Sequence, residues 1–259
     1  MNKIITLAIL GIPAATAGFF LLLSFYLSKP PAAGNQSIAS PDLFLWAWQR
    51  QEDLAFIPVN TGVALWIATL EITGGTIISH LRQNPVVLPG DTPLIAVIRL
   101  EAGTRSSLPD VNRLAEIIMT VFQPTDAQEL QLDFDASVSQ REYYRDLLSI
   151  LKQHLGDRPL SITALASWCM GDPWINDLSI DYAVPMLYRM GHDAASIRHE
   201  LTDGGHFSTT VCAHNVGYSL DEQRIQLKDV HRVFLFSDGP WNATSYAEIR
   251  HEIFRDSRK

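Results

Sequence analysis

The most constraining feature of this chain is a recurrence of eight short apolar runs rich in β-branched and aromatic residues. They are Leu43–Trp48, Val63–Leu70, Leu94–Leu100, Leu130–Phe134, Leu160–Ala166, Ala183–Tyr188, Thr209–Ala213 and Val233–Phe236. Short, nearly continuous apolar runs read as strands buried on both faces, the condition of a parallel sheet covered by helices. Several are separated by segments with apolar residues at helical spacing. The clearest are Val111–Phe122 (Leu114, Ile117, Ile118, Phe122) and Arg141–Leu155 (Tyr144, Leu147, Leu148, Leu151, Leu155). Strand and helix thus alternate, and residues 41–259 suffice for a single α/β domain, a (β/α)8 barrel of the smaller TIM-like sort. One departure is expected: Thr73-Gly74-Gly75-Thr76 followed by Ile77-Ile78-Ser79-His80 predicts a hairpin where a helix should follow the second strand. No repeat, low-complexity tract or second domain is visible.

Ahead of the barrel, Ile4 to Leu27 is a run of 24 residues without a charge. That is enough helix to cross a hydrocarbon core of about 30 Å, whereas the apolar region of a secretory signal spans roughly 7 to 15 residues. Ala14-Ala15-Thr16-Ala17 offers small residues to a peptidase, but a cut there leaves Phe19-Phe20-Leu21-Leu22-Leu23 near a bare apolar end, so an uncleaved anchor is preferred. Residues 1–28 are read as a signal anchor or signal peptide and residues 29–40, with Pro30-Pro31 and Gly34-Asn35-Gln36-Ser37, as a linker. The expectation is an inner-membrane anchor through residues 4–27 with the barrel in the periplasm or otherwise outside the cytoplasm. The alternative is secretion to the periplasm after cleavage. With 20 Lys plus Arg against 28 Asp plus Glu the formal charge is −8, so no basic patch points to nucleic acid. Cys169 and Cys212 form at most one bridge.

In a barrel of this class chemistry sits where the C-terminal strand ends converge on one mouth. Period-two alternation along Leu130-Gln131-Leu132-Asp133-Phe134-Asp135 turns Leu132 and Phe134 toward the helices and Asp133 and Asp135 toward the lumen. The same alternation points Arg99 and Glu101 inward beside them, with Arg99 as the partner of Asp133. That leaves Asp135 and Glu101 near the rim. Two acids in a partly desolvated mouth are pushed apart in pKa, as general acid and base cleavage of a glycoside requires. Their plainer reading is a salt-bridged lumen that only fixes register, and it weighs most on Asp133. Trp46, Trp48, Trp168, Tyr188 and Trp241 fall at or after strand ends, where indole and phenol faces suit sugar rings; core packing is the alternative for each. No Gly-x-Ser-x-Gly elbow, phosphate loop or dinucleotide fingerprint is present, and no cofactor is expected. His192, His206 and His214, with Asp203, lack tight ligand spacing, so no metal is assigned and solvated loop histidines are the better reading. Asn242-Ala243-Thr244 reads as the opening of a last helix.

Three motifs together resemble an uncharacterised bacterial domain-of-unknown-function family with a barrel fold: Leu130–Ala136, Ser161–Cys169 and Val184–Gly191. The resemblance spans about Pro41 to Trp241 and implies export without supplying an activity. A more distant similarity runs to chitinase-type glycoside hydrolases, which carry Asp-x-Asp-x-Glu at the end of strand four and Met-x-Tyr on strand six. Asp133-Phe134-Asp135-Ala136-Ser137 and Met186-Leu187-Tyr188 stand in those places, with Ser137 where that family has its acid-donating glutamate. The expected function is therefore a glycoside hydrolase-like action on a polysaccharide, with Asp135, Glu101 and Asp133 as candidate catalytic residues. Trp46, Trp48, Arg99, Trp168, Tyr188 and Trp241 are the candidate substrate-binding residues. The alternative is a non-catalytic barrel that binds a glycan or an envelope protein. A third reading is a metal-dependent hydrolase built on the three histidines.

Overall fold

A computed structural model describes residues 3–4 and 43–256. Eight parallel strands close into a barrel: β1 (Leu43–Ala47), β2 (Thr61–Thr73), β3 (Leu94–Ala102), β4 (Glu129–Asp133), β5 (Leu160–Leu165), β6 (Tyr182–Met186), β7 (Asn215–Ser219) and β8 (Arg232–Phe236). Each pairs with the next, and β8 returns to β1 through Val233–Leu43, Phe234–Phe44 and Leu235–Leu45. Seven of the eight expected strands lie where the apolar runs place them. The seventh does not. Thr209–Ala213 forms a 3-10 turn at Thr210–Cys212, and β7 follows it. Thr209-Thr210-Val211 has the β-branched look of a strand, yet Cys212 is joined by a disulfide to Cys169 after β5, with Cα atoms 5.9 Å apart. The true strand is disguised by Gly217, where a Cβ would stand 3.0 Å from the Phe236 ring and 3.4 Å from Val184.

The helical layer is thinner than a full (β/α)8 pattern. Among the described residues there are four α-helices: α1 (Val111–Phe122), α2 (Arg141–Leu155), α3 (Ala194–Thr202) and α4 (Ala243–Asp256). Helices α1 and α2 match the expected bounds because their apolar faces repeat at helical spacing. Leu114, Ile118 and Phe122 of α1, and Leu147, Leu148, Leu151 and Leu155 of α2, are all buried against outward strand residues such as Leu130, Leu132 and Ile162. Asp110 caps α1, its carboxylate accepting from the Arg113 amide at 3.0 Å, and Asn242 accepts from the Ser245 amide at 2.9 Å to start α4. No α-helix follows β1, β2, β5 or β7 before the next strand. After β2 the chain turns through Gly74 and Gly75, at φ 59° and 78°, into an antiparallel strand, Thr76–Leu81, so the expected hairpin is present.

Inside the barrel the two walls differ. Phe44, Trp46, Phe234, Phe236 and Tyr182 fill one wall, the Phe44 and Phe234 rings stacked at 4.9 Å and Trp46 against Phe236 at 4.5 Å. The other wall is polar. Gln131 donates to the Ser161 hydroxyl at 3.0 Å, and Ser161 donates to the Glu129 carboxyl at 2.6 Å, which the Tyr182 hydroxyl also reaches. Burial raises the Glu129 pKa, against the hydrogen bonds from Ser161 and Tyr182.

The N-terminal expectations fall outside this description. The proposed span over residues 4–27 lies outside the described residues except for Ile4, and the linker over 29–40 lies wholly outside them. Lys3–Ile4 pairs antiparallel with Val87–Leu88. No helix among the described residues is long and apolar enough to cross a membrane.

Candidate active site

The C-terminal strand ends build a mouth with an acidic arc on β2, β3 and the end of β4. A cleft of about 380 Å³ there is lined by Glu71, Arg99, Glu101, Asp133 and Asp135, together with backbone of the strand ends. Arg99 is the only cation in that lining. Its Nε donates to Glu101 Oε1 at 2.8 Å, and its Nη1 reaches Asp133 Oδ2 at 3.5 Å. The expected partnership of Arg99 with Asp133 is thus present, although the tighter bond goes to Glu101. Thr163, one strand over on β5, donates its hydroxyl to Asp133 Oδ1 at 2.7 Å. Burial is the main cause that raises the Asp133 pKa, against the pull of Thr163 and Arg99 and with help from the charges of Asp135 and Glu101. Asp135 is also raised, by desolvation first, with Arg99 opposing. The strand alternation holds: Phe134 turns outward and meets the Tyr144 ring of α2 edge-on at 5.2 Å.

Glu71 joins this group without having been foreseen. Counting alternation from Ala64 sends Glu71 outward, but β2 carries a bulge: Trp66 pairs with Val97 and Ala68 with Ile98, so Ile67 is extra and the phase inverts. Thr69 and Glu71 then align with Arg99 and Glu101. Arg82, just past the arm strand, braces the bulge. Its amide donates to the Ile67 carbonyl at 2.8 Å, and its guanidinium donates to the carbonyls of Trp66 at 3.2 Å, Trp48 at 2.5 Å and Arg50. Burial of this cation pushes its pKa down to about 10. Glu71 and His80, polar residues one on each strand of the hairpin and 3.2 Å apart, were the available signal.

Across the mouth the lining is aromatic and apolar. Trp48 and Tyr188 are half-buried at the rim, with Tyr188 4.8 Å and Trp48 6.4 Å from the Phe236 ring beneath them. Leu165, at the end of β5, is 37% exposed. Burial, and then the negative charge of Asp133, hold the Tyr188 phenol well above its ordinary range. The remaining candidate aromatics are placed differently. Trp46, Trp168 and Trp241 are only 1%, 3% and 4% exposed. Trp46 is lumen packing, Trp168 packs edge-on against Trp174 at 5.0 Å outside the lumen, and Trp241 donates its indole N–H to the Trp46 carbonyl at 2.9 Å. Their positions after strand ends put them under the mouth or behind it, so the free ring faces are those of Trp48 and Tyr188.

Ser137 has another task. Its amide and hydroxyl both donate to Gln140 Oε1, at 2.9 and 2.8 Å, and Gln140 in turn donates to the Gly103 carbonyl at 3.2 Å, tying the β4 loop to the β3 loop. The histidines do not assemble. His192 pairs with Asp193, Asp203 with His199, and His214 stacks on His231 at 4.4 Å. Among the described residues no group of three His, Cys, Asp or Glu side chains is placed to hold a metal ion.

No protein-family model matches the chain, and no curated protein or solved structure matches it either. The eight-stranded parallel barrel therefore stands on its own geometry, and no similarity to chitinase-type enzymes is found.

Proposed function

We propose that this barrel acts on a polysaccharide at its C-terminal mouth, by glycoside cleavage through the carboxyls of Asp135 and Glu101. The observation that carries the reading is the gathering of Asp135, Glu101 and the buried Asp133 in one cleft at the C-terminal strand ends, the same end of the barrel at which Trp48 and Tyr188 follow β1 and β6 half-buried. A carboxyl whose pKa is raised by burial keeps its proton longer and suits the general acid, which is the role given to Asp135. It hands that proton to the departing glycosidic oxygen as the bond to the anomeric carbon breaks. Glu101, held by Arg99, faces the positive charge that develops on that carbon, and a water molecule then bonds to the carbon and gives a proton back to the Asp135 carboxylate. Asp133 positions Arg99 and sets the local charge. Full-length protein incubated with bacterial and plant polysaccharides should release reducing ends, and Glu101→Gln should slow this about 10²- to 10⁴-fold. Undiminished release by Glu101→Gln contradicts the assignment.

A second reading, a barrel that binds a glycan or an envelope protein without cutting, is favoured by Ser137. That residue stands where chitinase-type enzymes carry their donor, and its hydroxyl is engaged by Gln140. Saturable glycan binding with no reducing ends released selects it. Location outside the cytoplasm is part of the proposal. The charge-free run over residues 4–27 and the Cys169–Cys212 disulfide support it, since disulfides persist in oxidising compartments. The pairing of Lys3–Ile4 with Val87–Leu88 fits neither an uncleaved span, which would carry Lys3 to the far side of the membrane, nor a mature protein from which these residues have been cut. N-terminal sequencing of the mature protein decides between anchor and cleaved signal.

A further inference from the structure

We infer that Gln140 is a positioning residue for the mouth: through one side-chain amide it fixes the loop that carries Asp135 against the end of β3 that carries Glu101. The inference rests on the cleavage reading above. The backbone ladder between β3 and β4 ends at Arg99 and Asp133, and β4 meets β5 no further along than Leu132. Glu101 is still held on its other side, where it pairs with Glu71 of β2. Asp135 lies past the last ladder pair of its strand, so sheet hydrogen bonding does not set its distance from Glu101. Among the described residues, one hydrogen bond spans the gap between the two chains: Gln140 Nε2 donates to the Gly103 carbonyl at 3.2 Å.

The ends of this tie are placed symmetrically. Gly103 follows Glu101 by the same spacing as Ser137, which Gln140 grips, follows Asp135. Gln140 Oε1 accepts from the Ser137 amide at 2.9 Å and from its hydroxyl at 2.8 Å. A backbone N–H only donates and a carbonyl only accepts, so the Ser137 amide and the Gly103 carbonyl fix which way the Gln140 amide faces. The side chain is 3% exposed and stands where the 3-10 turn Val138–Gln140 runs into α2, which anchors the tie on a helix. A shift of either chain would leave a buried polar group unpaired, and that cost resists the shift. Capping of the turn needs the bonds to Ser137 alone. The bond to Gly103, 37 residues away along the chain, adds nothing to the cap and is what positioning requires. What it sets is the separation of two carboxyls, on which the stereochemical course of glycoside cleavage depends.

The test follows Asp135 itself in full-length protein. Carbon-13 NMR titration of its carboxyl and steady-state cleavage of polysaccharide are compared among wild type, Gln140→Met, Gln140→Asn and Ser137→Ala. Met keeps the length and loses every polar group, whereas Asn keeps the amide and falls one methylene short of Gly103. Ser137→Ala removes the hydroxyl part of the cap and leaves the Gly103 bond in place. Desolvation is the main cause that raises the Asp135 pKa, with Arg99 opposing, so freeing its loop should move the titration down toward the ordinary carboxylate range in both Gln140 variants. On a cleaved polysaccharide kcat should fall about 10- to 100-fold with KM within about two-fold, as expected of a displacement on the order of 1 Å. Ser137→Ala should stay close to wild type in both measurements. An Asp135 titration that neither Gln140 variant moves overturns the inference, and so does equal behaviour of Ser137→Ala and Gln140→Asn, which would make the side chain a cap alone. If the wild type cleaves no polysaccharide the cleavage reading fails, while the titration still decides whether Gln140 places Asp135.

Discussion

From β2 to β4 the mouth gathers Glu71, Glu101, Asp133 and Asp135 around Arg99, while outside α1 and α2 follow β3 and β4 in the ordinary way and a hairpin stands in for a helix after β2. From β5 round to β1 the outside is irregular and the inside quiet. Two 3-10 turns, Ala166–Cys169 and Trp174–Asp177, replace a helix after β5, coil joins β7 to β8, and a disulfide pins the loop after β5 to the turn before β7. The lumen on that side is an aromatic column from Phe44 and Phe234 up to Trp48 and Tyr188. The contrast separates two kinds of work. Aromatic burial stabilises the closed barrel, while the mouth sets one buried carboxyl, Asp133, among the more exposed Glu71, Glu101 and Asp135, a gathering of like charges that costs stability.

The largest expected effect is on the aromatic side. Phe236→Ala empties the centre of the column, where the ring touches Trp46, Trp48 and Tyr188, and should cost about 3–5 kcal/mol by denaturant unfolding. A loss well under 1 kcal/mol would break the claim that this wall holds the barrel closed. Next, replacing Cys169 and Cys212 together by Ala frees a loop of sequence separation 43, which the chain-entropy account values at about 4 kcal/mol before relaxation of the unfolded state reduces it. The midpoint of thermal unfolding, compared with and without the bridge, reads it.

The acidic side should respond with the opposite sign. The native pKa of Asp133 is raised by burial, so the folded chain holds that proton more tightly than the unfolded chain and stability falls as pH climbs through the raised value. Asp133→Asn keeps an acceptor for Thr163 and removes the buried charge. It should raise the unfolding temperature at pH 7 by a few degrees, at roughly 2–4 °C per kcal/mol for a chain of this size. The advantage should vanish below pH 3.8, the ordinary value for the group, where both states are protonated. A variant destabilised equally at both pH values would make Asp133 a simple structural partner. The smallest effect belongs to Trp48→Ala, which removes a half-buried rim ring. It should leave unfolding nearly unchanged and weaken glycan binding about five-fold, measured by titration, in line with about 1 kcal/mol for a stacked ring.

Much of this contrast was written locally in the chain. The strands β1 to β6 and β8 announce themselves because each is buried on both faces, and α1 and α2 because their apolar residues recur with helical period. The inward turn of Arg99, Glu101, Asp133 and Asp135 follows from simple alternation. What could not be read depends on departures from period. A single extra residue, Ile67, inverts β2 and swings Glu71 into the mouth. The strand β7 hides behind Asn215 and Gly217, because close approach of the Phe236 ring there demands the residue least typical of strands. Trp168 and Trp241 follow strand ends in sequence, yet the 3-10 turn after β5 and the bond from Trp241 to Trp46 bury them.

The most direct test of the account compares reducing-end release by wild type and Asp135→Asn at pH 7, each checked to unfold at the same temperature within a few degrees. The account predicts cleavage of at least one polysaccharide by the wild type and a loss of about 10²- to 10⁴-fold in the variant. Cleavage that Asp135→Asn retains in full would place the chemistry elsewhere and contradict it.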